Sequence, residues 1–175
     1  DIRGGKLDLN HIEYNLKRTP VKFIYLVPNF QNPTGYLMDM DTRKQVLYLS
    51  KKYGVPIIEE DPYGELYYES YTPTLKSMDR ENYVIYIGTF SKSLSPGFRV
   101  GYLVADRQVT NRLIMLKQFV DIHANSISQY MIESFISKGL YEEHLEKMRQ
   151  LYKVKRDFMM ERLDEVSNMV GYEGP

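Results

Sequence analysis

Gly88-Thr89-Phe90-Ser91-Lys92-Ser93-Leu94-Ser95-Pro96-Gly97-Phe98-Arg99-Val100-Gly101-Tyr102 sets one lysine among hydroxyl side chains, with an arginine seven residues further on. The run before it, Tyr83 to Ile87, is apolar and β-branched and ends at Gly88. This is the pattern of a buried strand that delivers its C-terminal end to a loop, where catalytic groups often sit. Lys92 can attack an aldehyde to form an imine once its ammonium is partly desolvated or held near another cation, and Arg99 is the candidate for that cation. Thr89 and Ser91 offer hydroxyl donors and Arg99 a forked cation, a set that suits the oxygens of a phosphate dianion. Pro96-Gly97 turns the chain into a second apolar run, Val100 to Ala105, which brings Arg99 back beside Lys92. The chemistry points to a site for an aldehyde cofactor carrying a phosphate. Taken alone, the segment is equally a polar hairpin with a solvated lysine.

Two further segments bear on that choice. Leu26-Val27-Pro28-Asn29-Phe30-Gln31-Asn32-Pro33-Thr34-Gly35 follows an apolar run, Val21 to Val27, and precedes an amphipathic helix expected near Asp41 to Tyr53, so a polar loop again follows a strand. Asn32-Pro33-Thr34-Gly35 by itself is an ordinary turn, because proline fixes φ and glycine accepts φ > 0. Val55-Pro56-Ile57-Ile58-Glu59-Glu60-Asp61-Pro62-Tyr63-Gly64-Glu65-Leu66 is a short strand that runs into three consecutive carboxylates and a tyrosine. A solvated acidic strand end is the more frequent meaning of such a run; the functional one pairs a carboxylate with a cationic ring nitrogen.

PNFQNPTG, EEDPYGEL and TFSKSLSPGFRVGY, in this order and spacing, resemble the middle of a class I/II (fold-type I) pyridoxal-phosphate-dependent aminotransferase. The likeness is to the 2-aminoadipate/kynurenine aminotransferase branch and to the aminotransferase-like domain of MocR-type regulators. The resemblance implies that Lys92 forms the internal aldimine with pyridoxal 5'-phosphate and later moves the proton between substrate and cofactor. It implies Thr89, Ser91 and Arg99 as phosphate ligands, and Asn32 and Tyr63 as contacts of the ring hydroxyl oxygen. The family usually has an aspartate three residues before this tyrosine, and here that position is Glu60. Either the longer Glu60 reaches the ring nitrogen or Asp61 takes the role. Glu60 is favoured by spacing, since neighbouring strand residues point to opposite faces. An anion at that place keeps the pyridine protonated and the ring a good electron sink.

The resemblance also implies an internal fragment of a longer enzyme. A small-residue turn for the phosphate and a ring-stacking aromatic do not appear before Asn32, and nothing after Gly171 supplies an arginine for the substrate α-carboxylate. The expected organisation is a partial cofactor-binding large domain, 1–140, followed by a long helix, 141–175, toward a small domain. The expected function is amino-group transfer between an α-amino acid and a 2-oxo acid, with weak cofactor binding and no turnover by this piece alone. The alternatives are the effector domain of a MocR-type regulator or a catalytically degenerate dimerisation piece. A homodimer is implied by the same resemblance.

Composition suits an ordinary globular piece: 175 residues, 43% hydrophobic and 13% aromatic, are enough to build a core. Lys plus Arg and Asp plus Glu both number 23, which gives no net electrostatic drive toward nucleic acid or an anionic membrane. Zero cysteines exclude a disulfide framework and fit a cytoplasmic location. No stretch reaches the roughly 18 apolar residues that span a bilayer. His11, His123 and His144 lack zinc-site spacing, so no metal is expected. Alternating strand and helix signals predict an α/β fold, three αβα layers on a mostly parallel sheet. Helices are expected at Asp8 to Leu16, Arg107 to His123, Ser126 to Ser137 and Tyr141 to about Val166, with residues 67 to 80 as a loop.

Overall fold

The computed structural model describes residues 2–3 and 6–170. Two short strands, β1 (Ile2–Arg3) and β2 (Lys6–Leu7), form an antiparallel pair. Four more, β3 (Ile24–Leu26), β4 (Ile57–Asp61), β5 (Val84–Thr89) and β6 (Gly101–Val104), form the main sheet in the order β3-β4-β5-β6. The first two pairings are parallel and the third is antiparallel, so the sheet is mostly parallel, as expected, with one reversed edge strand. The cause of the reversal is chain length. Residues 90–100 are too few for a crossover, and the Pro96-Gly97 turn sends β6 straight back along β5.

Helix α1 (Leu9–Arg18) starts at Asp8, whose side chain accepts from the His11 N–H. Helix α2 (Met40–Tyr53) fills the crossover between β3 and β4. Asp39 caps its first turn by accepting from the Thr42 N–H, and Gly54, at φ 64, ends it in the left-handed conformation that glycine adopts without steric cost. The second crossover carries a 3-10 turn, Gly64–Leu66, and a short helix α3 (Leu75–Met78). Residues 67 to 80 are therefore not all loop, because the Thr74 side chain caps Ser77 and nucleates a turn. Met38, Val46, Ile57, Leu75 and Val84 form the buried core between α2, α3 and one face of the sheet.

Beyond the sheet follow α4 (Phe90–Ser93), α5 (Arg107–Val120), α6 (Ser126–Ser137) and α7 (Leu140–Val170). Helix α5 stops three residues short of the expected His123, because Asp121 leaves helical geometry and Ile122 takes φ 62. Helix α7 begins one residue before the expected boundary at 141, and residues 171–175 of that segment lie outside the described residues. Among the described residues no helix is long and apolar enough to cross a membrane.

Candidate active site

The lysine turn is built by local hydrogen bonds. Thr89 ends β5 and caps α4, its hydroxyl accepting from the Ser91 N–H at 3.1 Å, and it lies 3.4 Å from the Val100 carbonyl. The Phe90 N–H donates to that same carbonyl at 3.1 Å, which draws the returning strand alongside. Ser95 accepts from the Gly97 N–H, Pro96–Phe98 makes one 3-10 turn, and Arg99 follows at φ 53 in the left-handed region. Thr89 and Gly101 are register partners, so the backbone of Arg99 is returned to the end of β5. Lys92 and Arg99 are both exposed, whereas Ser93 between them is buried. Tyr141, from α7, holds Ser93 from behind: its hydroxyl lies 2.8 Å from Ser93 Oγ and donates to the Glu65 carboxylate. Gly88 is required by packing, because a Cβ there collides with the Tyr102 ring opposite it on β6.

The loop after β3 approaches from the other side. Phe30 takes φ 51, Asn32-Pro33 is a cis peptide, Gly35 takes φ 68, and Gln31 bridges back to Tyr36. Asn32 is exposed at the crown of this loop. A cavity of ≈ 540 Å³ opens between the loop and the lysine turn, lined by Phe30, Gly35, Tyr63, Tyr68, Lys92 and Arg156 among others. Lys92 and Tyr63 thus face one space. Asn32 lies between two of its lining residues without lining it, and Thr89, Ser91 and Arg99 belong to the turn beside it.

The three carboxylates part according to strand alternation. Glu59 and Asp61 are buried on the core face with Ile57, and Glu60 lies on the opposite face, half-buried. The register pairs Glu60 with Ile87, which puts Glu60 on the same face as Thr89. Asp61 is fully engaged: it accepts from Asn29 Nδ2 at 3.0 Å, from the Gly64 N–H at 2.9 Å and from the Tyr86 hydroxyl at 3.2 Å. Gly64 is needed there, since a Cβ would strike both Asp61 oxygens. Glu60 accepts from the Tyr25 hydroxyl. Glu59 accepts from the backbone N–H groups of Leu75 and Lys76 at 2.7 and 2.8 Å, yet burial outweighs these bonds and pushes its pKa up to about 7. Burial likewise raises Tyr86, Tyr102 and Tyr141 above the ordinary phenol value. Sequence reasoning missed Asn29 and Tyr86. The one available signal was a polar residue directly after the strand end, in Pro28-Asn29.

The family model described as aminotransferase class I and II matches residues 1–174. The 2-aminoadipate transaminase of Thermus thermophilus is 40% identical over 173 residues, which are 96% of this chain and 43% of that protein. An uncharacterized HTH-type transcriptional regulator of Bacillus subtilis is 40% identical over 158 residues, 90% of this chain and 32% of the regulator. The crystal structure of the α-aminoadipate aminotransferase LysN from Thermus thermophilus, complexed with N-(5'-phosphopyridoxyl)-L-leucine, superposes with a TM-score of 0.88 at 38% identity, over 94% of this chain and 43% of that one. The chain spans less than half the length of each of these proteins.

Proposed function

This chain belongs to the class I and II aminotransferase family, and on that premise we propose that it is the part of a pyridoxal-phosphate-dependent transaminase that carries the imine-forming lysine, Lys92. The observation that carries this is the single cavity onto which Lys92 and Tyr63 open, walled by the loop that bears Asn32. The donor chemistry fits the cofactor: a primary amine, a phenol, the Thr89 and Ser91 hydroxyls, a forked Arg99 cation and a carboxylate on the Thr89 face of the sheet. When bound, the cofactor supplies an aldehyde that condenses with amines and a ring that draws electron density from the substrate α-carbon.

Each residue has a task in this scheme. Lys92 would hold the cofactor through its aldehyde, and its amine would carry the substrate α-proton. Thr89, Ser91 and Arg99 bind phosphate oxygens, and Asn32 and Tyr63 hydrogen-bond the ring hydroxyl oxygen. Glu60 pairs with the ring nitrogen. It is favoured over Asp61 because Asp61 already accepts three hydrogen bonds within the core, while Glu60 shares the Thr89 face. The substrates are an α-amino acid and a 2-oxo acid, the whole protein works as a homodimer, and its location is cytoplasmic. A role as the effector domain of a regulator is the second reading, favoured by the Bacillus subtilis relative.

The test is peptide mass spectrometry of the full-length protein after pyridoxal phosphate and borohydride, with Lys92→Ala as control. A reduced adduct at Lys92 that the variant lacks is the expected result, and its absence overturns the proposal. Turnover of an amino acid with a 2-oxo acid then separates a transaminase from a regulator, which takes the adduct but turns over nothing.

A further inference from the structure

Arg43 is fully buried in α2, and none of its hydrogen-bond acceptors belongs to that helix. Its Nε donates to the Met38 carbonyl at 2.9 Å, Nη1 to the Pro73 carbonyl at 2.9 Å, and Nη2 to the Pro28 carbonyl at 3.2 Å and to Asn29 Oδ1 at 2.6 Å. Three of these acceptors, Pro28, Asn29 and Met38, stand at the two ends of the loop that carries Asn32. From Asn29 the connection continues: its Nδ2 donates to Asp61 Oδ1, which also accepts from the N–H of Gly64, the neighbour of Tyr63. Burial lowers the pKa of Arg43, against the opposing charges of Glu59 and Asp61. A guanidinium stays protonated there, and its rigid planar fork meets several acceptors at once as an ammonium does not.

We propose that Arg43 is a positioning residue that ties the Asn32 loop to the Tyr63 turn, fixing the separation of the two side chains that hold one cofactor oxygen. The helix gains no internal bond from this arginine, so a purely helix-stabilising role leaves its acceptors unexplained. What the fixed separation serves rests on the cofactor reading above; the linkage itself does not.

The experiment compares wild type with Arg43→Lys, Arg43→Gln and Asn29→Ala in the full-length protein, by amide hydrogen exchange and by pH titration of the bound cofactor's absorbance. In Arg43→Gln, exchange at residues 28–38 and 61–66 rises together by about tenfold or more while α7 keeps its protection, and Arg43→Lys does not restore it. In Asn29→Ala, which keeps the arginine, 61–66 loosens. The titration midpoint shifts in Arg43→Gln, and the shift disappears in an Asn32→Ala background. Loosening of 28–38 alone, rescue by lysine, or an unmoved midpoint overturns the proposal. If Arg43→Gln does not fold, Asn29→Ala decides, and unchanged exchange at 61–66 refutes the link. A wild type that shows no cofactor absorbance defeats the cofactor reading, while the exchange results still decide the linkage.

Discussion

Glu59 holds its proton to a higher pH than an ordinary carboxylic acid. It is fully buried, and its pKa stands near 7 against an ordinary 4.5. Between those values the unfolded chain has released this proton and the folded chain still holds it. The stability contributed by the group is therefore complete below about 4.5 and is lost as pH rises through about 7. The span corresponds to on the order of 3 kcal/mol. Urea denaturation at pH 5 and pH 8 is expected to show this fall in wild type and a flatter profile in Glu59→Gln. Gly64→Ala probes the adjacent contact. The new methyl group displaces the Asp61 carboxylate from its three donors, and a loss of about 2–4 kcal/mol in thermal or denaturant unfolding is the expected outcome.

At the scale of elements, the lysine turn depends on a helix far along the chain. Tyr141 joins Ser93 in α4 to Glu65 after β4 through one hydroxyl, and burial raises the pKa of both Tyr141 and Glu65. Tyr141→Phe leaves the half-buried Glu65 carboxyl without its tyrosine donor. A loss of about 1–3 kcal/mol is expected, with faster amide exchange at Phe90–Ser93 than at α6. The four strands of the main sheet and the lysine turn were legible in sequence, because β-branched runs ending in glycine, serine and proline leave few alternatives, whereas the short β1–β2 pair lies in a polar stretch with no such signal. The reversed β6 was implied by the Pro96-Gly97 turn but not by the helix–strand alternation, which favours parallel sheets. Arg43 was not legible at all. An arginine in an amphipathic helix normally points to water, and its four acceptors lie in loops that only the fold brings to it. The same holds for Asp61 against Glu60, where alternation separates the faces but burial partners appear only in three dimensions.

Across the whole molecule, apolar side chains are exposed on α5, on α6 and in the segment between them. Phe119 is 87% exposed and Val120 83%, and Ile122, Ile127 and Tyr130, further along the chain, are exposed as well. Covering by a second copy is what the proposed homodimer requires of this region. Phe119→Glu is expected to weaken self-association of the full-length protein by about tenfold or more in sedimentation equilibrium, with unchanged far-ultraviolet circular dichroism. Helix α7 has 31 residues, about 46 Å of rod. Along its first half Tyr141 grips Ser93, Arg149 stacks on Tyr67 and Arg156 on Tyr68, while Phe158, Met159 and Val166 further along are exposed. Mechanically this is a rod clamped along its first half and free along its second. A sideways load at Val166 is therefore carried as torque through the clamped half to Tyr141, which holds Ser93, the neighbour of Lys92.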